Sequence, residues 1–288
     1  MIVQGEIDKL GFYKFDFLSK GKIEQLNTLF ESDFKSIQNQ GLAVSHNQGS
    51  VEANLGLSDR INELLALELE EAFPDFDFFI SHFVVKQAGN NQSFQLHQDW
   101  NIVDESKFKS YQIWIPLALS YPENGGMCFI PRSHNFGDNK RSGSLSIPRI
   151  PISEEFYPYL SYARLFPGEA IAFANNLYHG SFTNASPEDR VSVLVNIVEK
   201  DAKTLYYHFD KESEEVWTYP LSAKTLFTSL SELEKGDLPF SGQPIDKFKF
   251  AQKSNDKLVE ADLIGSIAKD REKLGAPHDY EFKQYNIV

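Results

Sequence analysis

Two stretches near the start of the chain repeat apolar residues with a period of three to four, which predicts amphipathic helices over residues 22–40 and 58–73. The first stripe is Ile23, Leu26, Leu29 and Phe30, and the second is Ile61, Leu64, Leu65 and Leu69. Ser58 and Asp59 are placed to cap the second helix at its N-terminus. Residues 1–75 are therefore predicted to be a helical N-terminal part.

From about residue 76 the apolar positions repeat every second residue, which is typical of β-strands with one buried face. Eight segments separated by turn residues fit this pattern: 79–87, 94–99, 111–119, 127–131, 163–165, 170–174, 179–183 and 191–198. The turn Asn124-Gly125-Gly126 supplies residues that tolerate a positive φ. We predict an all-β core over about residues 76–200.

Beyond residue 200 the chain becomes more charged, and helical spacing returns near residues 222–236 and 256–274. Glycine and proline residues separate these two patches. We predict that residues 201–288 are a C-terminal elaboration packed on the β core. The whole chain, 1–288, is then one domain, which is compatible with its length because barrels and sandwiches often exceed 200 residues.

Composition narrows the possible partners. Apolar residues make up 41% of the chain and include 24 Phe, enough for a large aromatic core. The formal net charge of -13 repels phosphate backbones, so we expect a small-molecule substrate and no nucleic acid. The first eight residues lack the pattern of a signal peptide, and no stretch approaches the roughly 18 apolar residues of a membrane span. We therefore expect no membrane partner and a cytoplasmic location.

Cys128 is the only cysteine, which excludes an internal disulfide and any cysteine-based zinc or iron–sulfur site. It lies in an apolar run at residues 126–130, and we predict a small buried residue, not a nucleophile. A metal site in this chain would have to use histidine and carboxylate side chains.

His97-Gln98-Asp99 has the spacing of two metal ligands on a strand. Residues two apart point to the same side, so His97 and Asp99 can reach one ion while Gln98 turns away. A second histidine would complete the set of two imidazoles and one carboxylate that holds iron(II) and leaves one face open. His179 is the candidate, because strands remote in sequence are neighbours in a closed sheet.

The triplet His208-Phe209-Asp210 repeats this motif, so the motif alone does not decide the site. Only His278 follows the second triplet, and no arginine lies beyond that histidine. In the first arrangement, Arg190 comes eleven positions after His179 and opens the next predicted strand. There it could bind a carboxylate in the same cavity, with an ordinary surface arginine as the alternative.

Together these segments resemble the phytanoyl-CoA dioxygenase-like family of iron(II)/2-oxoglutarate oxygenases. The resemblance rests on Leu96-His97-Gln98-Asp99-Trp100, Trp114-Ile115-Pro116-Leu117, Ile130-Pro131-Arg132-Ser133-His134, Pro167-Gly168-Glu169-Ala170 and Tyr178-His179-Gly180-Ser181 through Asp189-Arg190. It covers roughly residues 80–198 and, more loosely, the first helices. Residues 200–288 carry no signature of the family.

The resemblance implies a mainly β fold, with a double-stranded β-helix (jelly-roll) core and flanking helices. It also implies that His97, Asp99 and His179 bind iron(II). In related halogenases a small residue replaces the carboxylate ligand, so Asp99 favours hydroxylation or desaturation.

The resemblance further implies that 2-oxoglutarate chelates the metal while Arg190, helped by Ser181, binds its far carboxylate. Ser181 is two residues from His179 and therefore on the same face of the strand. Trp114 falls where the family has a tryptophan near the cosubstrate, although a core aromatic is an equal alternative. Lys86 is a further candidate carboxylate partner, but we expect an edge lysine that reaches solvent.

The implied reaction is the hydroxylation of an unactivated C–H bond by dioxygen, with conversion of 2-oxoglutarate to succinate and carbon dioxide. The expected substrate is a small polar metabolite, an amino-acid-like molecule or a natural product. The alternative is a non-catalytic cupin-like metal- or ligand-binding protein, or a metal-dependent isomerase. Arg190 and Ser181 beside a full ligand set argue against that alternative.

Overall fold

The computed structural model describes residues 2–34, 41–45, 49–89, 92–136, 140–145, 149–162, 164–241, 243–250 and 256–274. Its helices are α1 (Ile2–Leu10), α2 (Lys20–Asp33), α3 (Val51–Ala72), α4 (Ala223–Lys235) and α5 (Asp256–Leu274). Its strands are β1 (Phe12–Asp16), β2 (Leu42–Val44), β3 (Phe76–Lys86), β4 (Phe94–His97), β5 (Ser110–Pro116), β6 (Met127–Phe129), β7 (Ser161–Tyr162), β8 (Glu169–Ala174), β9 (His179–Ser181), β10 (Arg190–Glu199), β11 (Leu205–Asp210), β12 (Glu215–Pro220) and β13 (Asp246–Lys249). Within these residues, no helix combines the length and the apolar character needed to cross a membrane.

Six antiparallel strands form the larger sheet, in the order β1-β8-β5-β10-β3-β2. β10 pairs with β3 on one side and with β5 on the other. Every residue of β5 is buried: Ile113 and Ile115 belong to the main hydrophobic core, and Gln112 and Trp114 face an internal cavity. The central strands therefore provide a rigid wall on which side chains can be positioned.

β4, β9, β6 and β7 form a second antiparallel sheet in that order. Aromatic rings join it to the larger sheet: Phe129 of β6 stacks on Phe12 of β1 at 4.9 Å, and Phe173 of β8 packs against both Phe129 and His179. From β3 to β10 the chain passes repeatedly between the two sheets. This is the arrangement of a double-stranded β-helix, and the predicted mainly β fold with flanking helices is confirmed.

Seven of the eight predicted segments overlap an observed strand. In the eighth, residue 163 lies outside the described residues, and Leu165 forms an isolated bridge with Ser120 while β7 lies just before it. The predicted turn at Asn124-Gly125-Gly126 is present, with a φ of 81° at Gly125. A Cβ atom at this position would lie 2.6 Å from the Lys86 side chain. Both the positive φ and the lack of space therefore favour glycine.

The N-terminal part is less helical than predicted, because β1 and β2 form the two edges of the larger sheet. α2 ends at Asp33, and residues 35–40 of the predicted helix lie outside the described residues. α3 starts earlier than predicted, with Ser50 as its N-cap, so the capping role assigned to Ser58 and Asp59 was wrong. Ser58 is buried within the helix, where its hydroxyl accepts a hydrogen bond from the Ser81 N–H.

The helices predicted near residues 222–236 and 256–274 are present as α4 and α5, but the sheet of β11, β12 and β13 was not predicted. Leu226 and Phe227 of α4 pack in one cluster with Ile80 of β3. Leu263 of α5 packs in another cluster with Leu96 of β4. Parts of the C-terminal region therefore contact both sheets of the core.

Candidate functional site

The structure brings together the three predicted metal ligands where β4 and β9 pair. His97 lies opposite His179, and their ring centres are 4.3 Å apart. Asp99 follows β4, with Oδ1 3.6 Å from His97 Nε2 and Oδ2 3.6 Å from His179 Nε2. In the described part of the chain, no other group of three such side chains is suited to hold a metal ion. Ligands bound to one ion at about 2.1 Å lie about 3 Å apart, so small side-chain movements would close this set around an ion.

Both imidazoles are oriented by backbone carbonyls. His97 Nδ1 lies 2.8 Å from Gln95 O, and His179 Nδ1 lies 2.9 Å from Leu177 O. The tautomer with a proton on Nδ1 satisfies both contacts and leaves each Nε2 lone pair available to a metal. Burial lowers the pKa of His179 to about 4, so this ring is neutral at pH 7.

Asp99 is held through its backbone and its side chain. Its N–H donates to Asn175 O at 2.8 Å, its carbonyl accepts from Arg141 Nε at 2.6 Å, and Gln112 Nε2 donates to Oδ2. Burial raises the pKa of Asp99, but the two histidines and Arg141 outweigh this, and the net direction is downward. An anionic carboxylate beside two imidazoles is a donor set that fits a divalent cation.

A cavity of about 970 Å³ opens in front of these three side chains. The larger sheet lines it with inward-facing residues of β3 and β10: Ile80, His82, Val84, Arg190, Leu194 and Asn196. The C-terminal region adds Lys211, Leu226, Leu230 and Glu234. Residues 200–288, which carry no signature of the family, thus contribute directly to this cavity.

Arg190 opens β10 and is 3% exposed in the wall of the cavity. Its Cζ lies 5.1 Å from the centre of the Trp114 ring, so the two predicted cosubstrate residues are in contact. Neither Nε nor Nη1 has a hydrogen-bond partner among the described residues. Burial lowers the pKa of Arg190 to about 10, which leaves it cationic at pH 7. A buried cation with unsatisfied donors is the exception in folded proteins and suits an anionic ligand.

Lys86 is buried and does not reach solvent, so the expectation of a solvent-reaching edge lysine was wrong. The pairing of β3 with β10 places it opposite Arg190, and its Nζ donates to Ser181 Oγ at 2.8 Å and to the Phe182 carbonyl. Burial, with a contribution from Arg190, lowers the pKa of Lys86 to about 7. Ser181 lines the cavity near His179, as its position on the strand predicted.

The second triplet lies on β11, and none of its three residues lines the cavity. Asp210 accepts hydrogen bonds from Ser213, and the His208 ring lies 6.4 Å from the Trp217 ring. The described residues supply no third metal ligand there. The geometry therefore favours the first triplet.

Several polar cavity residues were missed by the sequence reasoning, and three of them lie on strands of the larger sheet: Gln112, Asn196 and His82. Strand alternation could have found the first two, because Gln112 is two positions before Trp114 and Asn196 is six positions after Arg190. A polar residue on the same face as a site residue, in an otherwise apolar strand, is the available signal. His82 carries the same signal on β3.

The family model described as phytanoyl-CoA dioxygenase (PhyH) matches residues 24–192, which is more than half of the chain and includes all the predicted site residues. No curated protein sequence matches the chain.

Among solved structures, this chain is similar to the non-heme monooxygenase ThoJ. Its nickel complex is 12% identical with a TM-score of 0.54, and the match covers 95% of this chain and 98% of that chain. HygX from Streptomyces hygroscopicus, with nickel and 2-oxoglutarate bound, is 13% identical with a TM-score of 0.49, over 69% of this chain and 87% of that chain. The ThoJ likeness shows a shared fold along nearly the whole chain.

Proposed function

The chain belongs to the phytanoyl-CoA dioxygenase (PhyH) family of 2-oxoglutarate-dependent oxygenases, and we propose that it uses iron(II), 2-oxoglutarate and dioxygen to hydroxylate an unactivated C–H bond of a small polar molecule. Succinate and carbon dioxide are the coproducts. The observation that carries the proposal is the buried Arg190, whose unpartnered donors share one cavity with two histidines and a carboxylate. A β-barrel protein that only binds a metal would not need a buried guanidinium that can bind an anion in the same cavity.

His97, Asp99 and His179 are the residues that would hold the iron. When bound, iron with 2-oxoglutarate and dioxygen would supply the oxidising chemistry that hydroxylation requires. The protein contributes orientation, because the Gln95 and Leu177 carbonyls keep both Nε2 atoms turned toward the ion.

Arg190 would bind the carboxylate of 2-oxoglutarate that lies far from the metal. Ser181 can assist, because its hydroxyl accepts from Lys86 Nζ and so keeps its own proton available to donate. Lys86 lies behind Ser181 and, with its pKa lowered to about 7, adds a partial positive charge near neutral pH, while the Trp114 ring supports the guanidinium. These groups form an anion pocket that is already built before the cosubstrate arrives.

Aromatic rings shield the ligands from bulk water. Phe94 meets the His97 ring edge-on at 4.7 Å, and Phe173 packs against the His179 ring at 4.7 Å. Exclusion of water limits side reactions of the oxidant and strengthens charge interactions inside the cavity.

The proposal is tested by succinate release from 2-oxoglutarate in air, with iron(II)-loaded full-length protein and no added substrate. His97→Ala and His208→Ala make the same change in the two competing triplets. We expect turnover, and a 2-oxoglutarate-dependent charge-transfer absorption band under anaerobic conditions, in the wild type and in His208→Ala only. If the wild type shows neither signal, the oxygenase proposal is wrong, and a non-catalytic binding protein or an isomerase is favoured.

A further inference from the structure

Arg149 is held beside the candidate metal ligands by backbone pairing. Ile150 forms an antiparallel bridge with Leu96, in which the Leu96 N–H donates to Ile150 O at 2.8 Å and the Ile150 N–H donates to Leu96 O at 2.9 Å. This register places Arg149 opposite His97, and residues opposite each other in antiparallel strands project to the same face. Both side chains line the cavity.

The guanidinium of Arg149 lies over an aromatic ring that itself touches a candidate metal ligand. Its Cζ lies 5.5 Å from the centre of the Phe94 ring, and that ring contacts the His97 ring. A guanidinium above a ring face can still bind an anion through the N–H donors along its edges. Arg149 is therefore positioned about one aromatic ring away from the proposed iron site.

Two basic residues directly before the cavity-lining segment at 142–145 are paired with carboxylates, whereas Arg149 is not, among the described residues. Arg141 pairs with Glu105 at 2.6 Å, and Lys140 lies 3.9 Å from Asp104. Arg149 has no carboxylate partner in the parts of the chain that the structure describes, although the chain has 41 acidic and 28 basic residues. The Arg149 side chain is exposed, so its charge is accessible to an anion that comes from outside the chain.

The cavity also offers an apolar surface. Leu226 and Leu230 of α4 line it together with Phe79 and Ile102. α4 approaches the backbone at Gly143 so closely that a methyl group there would overlap the Leu233 carbonyl. The apolar surface is thus fixed relative to the rest of the cavity.

We propose that Arg149 binds an anionic group of the substrate, and that the substrate is a small amphiphilic anion whose apolar part lies against α4. Lys211, which also lines the cavity, adds positive charge for the same group. The inference rests on the proposed function, because it takes this cavity as the substrate site. Arg190 is assigned to the cosubstrate, so the two arginines bind two different anions.

The test measures binding to full-length protein loaded with zinc(II) and N-oxalylglycine, a diamagnetic combination in which the cosubstrate analogue occupies the Arg190 pocket. The probes are hexanoate, its neutral amide hexanamide, and hexyl phosphate, with affinities taken from saturation-transfer NMR titrations. We expect hexanoate or hexyl phosphate to bind about tenfold more tightly than hexanamide, as a charge-assisted hydrogen bond requires. The tighter anion identifies the head group that the site prefers.

Arg149→Gln should bring the anions to within about twofold of hexanamide, whereas Arg149→Lys should retain part of the preference. Arg164→Gln is the matched control, because the Cζ of Arg164 also lies over an aromatic ring, 5.7 Å from the centre of Phe166, but Arg164 does not line the cavity. It should behave as wild type. Retention of the full preference in Arg149→Gln, or equal binding of anions and amide by the wild type, would overturn the proposal. The signals of N-oxalylglycine in the same samples show whether the cosubstrate analogue is bound. They therefore test the proposed function separately from the binding of the probes.

Discussion

The Arg190→Met variant should be more stable than the wild type when 2-oxoglutarate is absent. It should be less stable than the wild type when 2-oxoglutarate is present. The guanidinium is 3% exposed, and two of its nitrogens have no partner among the described residues. Methionine is unbranched and apolar, so it can occupy the same space without a charge. The substitution also removes the cation that we propose binds the cosubstrate.

The magnitude follows from the burial of the charge. Burial lowers the pKa of Arg190 from 12.5 to about 10, which at about 1.4 kcal/mol per pH unit destabilises the charged form by about 3 kcal/mol. Loss of the contact with Trp114 offsets about 1 kcal/mol of this gain. The free energy of unfolding should therefore rise by about 2 kcal/mol, and the melting temperature by about 4 to 8 °C.

The assay is thermal unfolding of the manganese(II)-loaded wild type and variant, with and without 2-oxoglutarate. At a concentration one hundred times its Kd, the ligand should stabilise the wild type by about 2.7 kcal/mol and leave the variant unchanged, which reverses their order. A variant that melts below the wild type without ligand would show that the buried guanidinium is already compensated. Equal stabilisation of both proteins by 2-oxoglutarate would refute the role of Arg190 as its anchor.

Three further experiments test the hydrogen bond that orients Asp99, the burial of Cys128 and the packing of α4. Gln112→Leu removes the donor to the Asp99 carboxylate and should weaken metal binding by about 10- to 100-fold in a competition titration; unchanged affinity would mean that this hydrogen bond does not orient the ligand. Burial raises the pKa of Cys128 to about 12, so a disulfide reagent at pH 8 should react only as fast as the protein unfolds, and rapid labelling of the native state would contradict this. Gly143→Ala should lower the free energy of unfolding by about 2 kcal/mol or more in denaturant titrations, because the added methyl group overlaps the backbone of α4. The control Gly56→Ala, at a helical position with nothing within 4 Å, should raise that free energy by up to about 1 kcal/mol, and equal effects of the two changes would refute the packing argument.

The core strands could be predicted because alternation depends only on which face of a strand is buried. β10 and β3 are long enough for that signal to stand out from their surroundings. β1 and β2 are short edge strands whose partners are distant, since Phe12 pairs with Phe173. Their conformation depends on that non-local pairing more than on their own sequence, so the local pattern did not reveal them.

The candidate ligands were predictable for a different reason. The spacing of His97 and Asp99 places both on one side of a strand, and the arginine after His179 distinguishes that set from the second triplet. Lys86 and Arg149 could not be placed in this way. The Lys86 ammonium is bound by Ser181 and Phe182, which lie far along the chain, and Arg149 lies opposite His97 because Ile150 pairs with Leu96.

By itself the sequence determined the chemistry that is available: imidazole and carboxylate donors at strand spacing, an arginine eleven positions after His179, and an alternating apolar pattern that requires a β core. Only the tertiary structure decided which of these groups meet in one cavity, which cations are buried without a partner, and that the C-terminal region completes the cavity wall. The physical reason is that spacing along the chain sets the face of a strand on which a side chain lies. The neighbours of that side chain, and hence its solvation and charge environment, are set by strands that pair across more than a hundred residues of sequence in the larger sheet.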